Sequence, residues 1–108
     1  MTDVVVILVM APDGESGATI ARNLVESGLA ACVNRVPGVR SVYRWQGEIH
    51  DDAEELLIIK TTAAGVEALT ERVLQIHPYE VPEIIVLPVV AGSNSYLEWV
   101  ISQVGDPE

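Results

Sequence analysis

The sequence predicts an α+β sandwich in the order β-α-β-β-α-β, followed by one further helix. Three observations carry this. Four β-rich runs (4–10, 31–45, 48–61 and 84–87) are separated by two stretches with apolar residues at helical spacing. The two middle runs are joined by Gln46-Gly47 alone, which is a hairpin signal. Right-handed crossovers turn that order into the split βαβ, ferredoxin-like arrangement, with four antiparallel strands and two helices on one sheet face.

Each element has a local reason. Val4 to Met10 is a continuous β-branched run, the pattern of a strand covered on both faces. Ala-Pro-Asp-Gly breaks it, and Asp13 is the predicted N-cap of the first helix, with Glu15 in its first turn. Ile20, Ala21, Leu24 and Val25 form that helix's apolar stripe. Ser27-Gly28 ends it, with Gly28 in the left-handed position and Leu29 folding back over the last turn. The second strand runs to Trp45 and is interrupted by Pro37-Gly38, read as a bulge or bend. Asp51 to Glu55 on the return strand is expected to lie opposite that irregularity. Thr62 is the predicted cap of the second helix, whose buried face is Val66, Leu69, Val73 and Ile76; His77-Pro78 ends it, because proline disfavours helical geometry in the residue before it. Ile84 to Leu87 is the fourth strand, stopped by Pro88. A third helix from Ser93-Asn94 presents Leu97, Val100, Ile101 and Val104.

The hairpin arms, at about 14 residues each, extend roughly 45 Å at strand rise, longer than a domain of this size is wide. The projecting part carries Val39, Val42, Tyr43 and Trp45, so it predicts an oligomer that wraps it. The sheet face away from the two helices also needs cover, for which the third helix and neighbouring subunits are the candidates.

The charge narrows the function classes. Sixteen acidic residues against 6 Lys and Arg give a formal charge of −10. That argues against nucleic acid, which demands a basic face, and against anionic membranes. An RNA-recognition module is rejected further because the chain has no Phe and its central strands read Val-Val-Val-Ile and Leu-Leu-Ile-Ile. The run Val4 to Ala11 is too short to span a bilayer, and no Lys or Arg precedes it as a signal peptide would require. One cysteine, Cys32, leaves no internal disulfide and no CxxC motif, which fits a cytoplasmic protein.

The densest candidate for chemistry is His77-Pro-Tyr-Glu80, an imidazole, a phenol and a carboxylate on a proline-stiffened loop. It suits a metal or a small polar ligand; as plain structure, it terminates a helix with His77 against the dipole. His50-Asp51-Asp52 is also metal-capable, though a solvated hairpin tip explains it better. Cys32 reads first as a buried small hydrophobe and second as a reactive or metal-binding thiol. Tyr43 and Trp45 share one strand face, where they line a pocket or pack on a partner. Lys60 follows an apolar run, and its ammonium should seek an acid such as Glu54 or Glu80. No phosphate loop, GxSxG, HExxH or nucleophile–base pair is present, so the residues favour a binding or structural module over an enzyme.

Six segments, in order, carry a resemblance. They are Leu29-Ala-Ala-Cys-Val-Asn34, Pro37-Gly38, Tyr43-Arg-Trp-Gln-Gly-Glu48, Ile59-Lys-Thr-Thr62, His77-Pro-Tyr-Glu-Val-Pro-Glu83 and Tyr96-Leu-Glu-Trp99. Together they closely resemble the CutA family of divalent-cation tolerance proteins over residues 4 to 104, within a single domain 1–108. The resemblance implies a ferredoxin-like subunit in a PII-like homotrimer braced by the long hairpin. It also implies a cytoplasmic role in tolerance of divalent metals, copper especially, with no enzymatic reaction, and a ligand pocket near subunit interfaces. The pocket and interface residues are then Tyr43, Trp45, Glu54, Lys60, Tyr79 and Trp99. Some members are ascribed a copper site built from a cysteine at the end of the first strand and a consecutive histidine pair. Here those positions are Val9 and Ile76-His77. A copper site in this chain would draw on His77 with Cys32, Glu80 or residues of another subunit. The alternative is a PII-like scaffold or signalling trimer that binds a protein partner and has no specific metal site.

Overall fold

A computed structural model describes residues 2–105. The strands are β1 (Val4–Pro12), β2 (Cys32–Trp45), β3 (Glu48–Thr62) and β4 (Ile84–Pro88); the helices are α1 (Glu15–Glu26), α2 (Val66–Ile76) and α3 (Asn94–Gln103). One antiparallel sheet has the order β2-β3-β1-β4, which is the split βαβ topology. The first strand lies inside the sheet, which is why it reads as an unbroken apolar run.

One face of the sheet carries the main core. Ile7, Val9 and Ala11 of β1 and Leu57 and Ile59 of β3 meet Ile20 and Leu24 of α1 and Leu69 and Val73 of α2, all buried. Helix α3 covers part of the opposite face, where Val100 packs on Val4 and Ala31. Beyond α3 that face is open: Leu56 and Ile58 of β3 are half-buried, and Ile85 and Leu87 of β4 are exposed. The long hairpin gives the molecule its extents of 44 × 28 × 21 Å.

The turns follow the sequence reading. Gln46 and Gly47 both have positive φ, 50° and 80°, the type I′ geometry whose twist matches a tight hairpin. Gly28 takes φ 75° after α1, and the Leu29 N–H reaches back to the Leu24 carbonyl. Pro37 and Gly38 form a bulge: pairing runs Val36↔Leu56 and then Val39↔Glu54, so these two residues lie opposite the single residue Glu55.

Four local expectations are corrected. Gly14, at φ 106°, occupies the N-cap of α1 in place of Asp13, with no side-chain cap; the turn out of β1 demands a conformation that only glycine adopts freely. Thr62 precedes a short 3₁₀ turn (Ala63–Gly65) and makes no cap bond to it, and α2 starts at Val66. Ile101 is exposed, since α3 turns only its Val100 side fully inward. Cys32 is half-buried, because it opens an edge strand on the uncovered face.

An ion pair between the exposed Arg35 and the buried Glu55 ties the bulge to α1. Glu55, 3% exposed, receives bonds from the Arg35 guanidinium at 2.7 and 3.1 Å. Its carboxylate fills the space beside Gly17, where an added Cβ would collide with Oε1 and lie 2.9 Å from Cδ. Arg35 holds the carboxylate in place, so it cannot swing away. Gly17→Ala is therefore expected to destabilise the fold by about 1–3 kcal/mol through overpacking, read as a lower urea midpoint at unchanged m-value.

Candidate functional site

The β2–β3 register decides which side chains meet. Ser41, Tyr43 and Trp45 pair with Asp52, His50 and Glu48, so all six side chains share the open sheet face with Glu54. The loop after α2 bends over the same face. There Tyr43, Trp45, Glu54, Tyr79 and Glu80 line a cavity of about 680 Å³. The hairpin supplies one wall and the proline-stiffened loop the other.

Two phenol–carboxylate bonds organise this cleft. The Tyr79 hydroxyl donates to Glu54 at 2.6 Å, and the Tyr43 hydroxyl donates to Asp52 at 2.6 Å. Both distances are those of charge-assisted bonds. Burial, and then the bond to Glu54, push the Tyr79 phenol well above its ordinary value; for Tyr43 the bond to Asp52 comes first and burial second. Both rings therefore stay neutral donors across the physiological range. His50 stacks on Tyr43 with ring centroids 5.2 Å apart.

His77 works as a latch. Its Nε2–H donates to the Met10 carbonyl of β1 at 2.7 Å, and its Nδ1 accepts the Tyr79 N–H at 3.0 Å. Because Nδ1 must carry a lone pair and Nε2 faces an acceptor, the ring is the neutral Nε2–H tautomer. The imidazole thus pins the loop to the sheet instead of meeting the helix dipole, and its tilted stack on Tyr79, 4.7 Å between centroids, sets that ring.

This geometry does not fit a copper site within one chain. Both His77 nitrogens are committed and the ring is buried. Cys32 pairs with Lys60, whereas Met10, beside His77, pairs with Leu56 four residues further along β3, a separation of about 13 Å at strand rise. Glu80 lines the cleft and neither nitrogen of His77 is free to join it. Among the described residues no group of three or more His, Cys, Asp or Glu could hold a metal ion. His50, Asp51 and Asp52 are also dispersed: Asp51 points to the opposite face and pairs with Arg40 at 2.9 Å.

Two further residues lie apart from the cleft lining within this chain. Lys60 makes no ion pair among the described residues; Glu54, its predicted partner, is six residues away along β3 and is taken by Tyr79. Trp99 lies outside the cleft and stacks on Tyr96 of α3 at 5.6 Å. Sequence reasoning missed Glu83 and Met10 in the lining and Asp52 as the partner of Tyr43. The Asp52 partnership was readable, since a two-residue turn at 46–47 puts residues 41, 43, 50 and 52 on one face.

A family model described as "CutA1 divalent ion tolerance protein" matches residues 5–103. The chain belongs to the CutA1 family. It is 51% identical over 100 residues to the divalent-cation tolerance protein CutA of Thermus thermophilus, covering 93% of this chain and 97% of that one. The solved Thermus structure superposes with a TM-score of 0.92 over 94% of this chain and 99% of that chain. A chloroplastic CutA protein of Arabidopsis thaliana is 52% identical over 88% of this chain, which spans 52% of the plant protein. A CutA from Nostoc, described as PII-like and solved in apo form, gives a TM-score of 0.88 at 39% identity over 94% of this chain and 97% of that one. The CutA1 family and its PII-like architecture are thereby established for this chain, together with its place among divalent-ion tolerance proteins. No described helix is long and apolar enough to cross a membrane.

The Tyr79–Glu54 bond gives a signed pH prediction. A phenol whose proton is held more tightly when folded contributes stability that is complete below its unfolded value near 10 and is lost as pH rises beyond it. Tyr79→Phe should therefore flatten the loss of stability above pH 10 in denaturant titrations. At pH 7 it should cost about 1.5 kcal/mol, the lower end for a bond to a charged group because the phenol is partly exposed.

Proposed function

We propose that the chain acts as a homotrimer in divalent-metal tolerance by binding a small polar ligand in the cleft between the β2–β3 hairpin and the His77–Glu83 loop. One observation carries this reading. The cleft opens onto the sheet face that the chain leaves uncovered, so a neighbouring subunit packed there would bury Leu56, Ile58, Ile85 and Leu87 and complete the cleft wall. Burial of such a patch is the usual driving force for subunit association. The role is binding rather than catalysis, within a single domain. The lone half-buried thiol supports a cytoplasmic setting.

A His77-centred copper site is not part of this proposal, because the imidazole is spent on Met10 and Tyr79. Native mass spectrometry of the chelator-treated protein tests both points. A trimer is the expected species, and a monomer would sink the assembly reading. On stepwise addition of Cu(II), His77→Ala should take up the same number of ions as the parent protein. A selective loss of one ion per chain would restore His77 as a ligand.

A further inference from the structure

We propose that the cleft selects an organic ammonium cation, a positively charged nitrogen carrying alkyl groups. This rests on the ligand-cleft reading above and names the ligand class. The cavity is lined by the carboxylates of Glu54, Glu80 and Glu83 and by the rings of Tyr43, Trp45 and Tyr79, with no Lys, Arg or His among its lining residues. Glu54 is 6% exposed, and only its Oε2 is taken, by Tyr79; Oε1 accepts no hydrogen bond among the described residues. That oxygen is accessible in the cleft rather than sealed away, so it is open to whatever enters the cavity.

Each other ligand class meets an obstacle. An anion would face three carboxylates and no cation on the wall this chain supplies. A bare divalent ion would need several converging oxygens, and no such grouping exists among the described residues. A neutral apolar molecule would dry the Glu54 carboxylate without compensating its charge. An alkylated ammonium meets both demands. Its charge lies against the glutamates, and its alkyl groups lie on the aromatic faces that attract cations. The two phenols donate to carboxylates at 2.6 Å, which leaves their rings electron-rich toward a cation.

The test is isothermal titration calorimetry of the assembled protein with choline chloride, its neutral carbon isostere 3,3-dimethylbutan-1-ol, and sodium acetate, against a sodium chloride blank. Choline should bind saturably at one per chain, and the isostere at least about tenfold more weakly, the scale of one cation–π contact plus one charge contact. Trp45→Ala and Glu54→Gln should each weaken choline by about tenfold or more, while Trp99→Ala leaves it unchanged. Trp45 is near the exposed hairpin end, so its variant retains the fold even if Glu54→Gln does not; native mass spectrometry checks assembly for each. Equal binding of choline and isostere, or choline binding insensitive to Trp45→Ala, overturns the cation. Isostere or acetate bound in a Trp45-dependent way, without choline, overturns the cation and keeps the cleft. Silence from all three probes overturns the cation and counts against the cleft as well.

Discussion

The arrangement depends on a one-residue offset in β2. Before Pro37 the even-numbered residues Asn34 and Val36 face the open side of the sheet; after Gly38 the odd-numbered Val39, Ser41, Tyr43 and Trp45 do. A strand alternates strictly, so without the bulge Tyr43 and Trp45 would point away from the cleft. Pro37 fits there because β2 is an edge strand, where a missing N–H costs little, and Gly38 supplies the positive φ of 78°. The residue opposite the bulge, Glu55, then turns to the helix side, where Arg35 holds it. One irregularity thus sets the cleft face and the anchor of α1 together.

The cleft is held by polar bonds that cross between elements. Tyr79 joins the loop to β3, Tyr43 joins β2 to β3, and His77 joins the loop to β1. Each uses a side chain that could have served chemistry and commits it to position instead. A site built this way is preorganised on the sheet, and among the described residues its carboxylates do not converge as a metal ion would require. The family link to divalent-ion tolerance therefore need not run through direct coordination inside one subunit.

Much of this was legible in the sequence, where a local signal had a single physical meaning. The type I′ turn, the left-handed Gly28, the bulge at Pro37-Gly38 and the helix stop at His77-Pro78 all follow from backbone restrictions of named residues. What failed were choices between near-equivalent polar neighbours. Asp13 and Gly14 compete for one cap position, and the turn geometry chose glycine. His77, Cys32 and Glu80 look like ligands as a composition, but strand register keeps the thiol away and two backbone groups occupy the imidazole. Trp99 and Lys60, which the resemblance groups with the pocket or its interfaces, do not line the cleft within this chain. Long-range side-chain pairing has no short-range sequence mark.

The contact at Gly17 has a consequence for how this sequence can vary. Positions 17, 35 and 55 form one packed unit: the helix residue is small because the carboxylate needs its space, and the carboxylate is buried because the guanidinium neutralises it. A larger residue at 17 is compatible only with a shorter one at 55, which would leave Arg35 without its partner. The three positions are thus bound to drift together or not at all. Substitutions that look conservative one at a time, such as Glu55→Asp, change what the other two will tolerate.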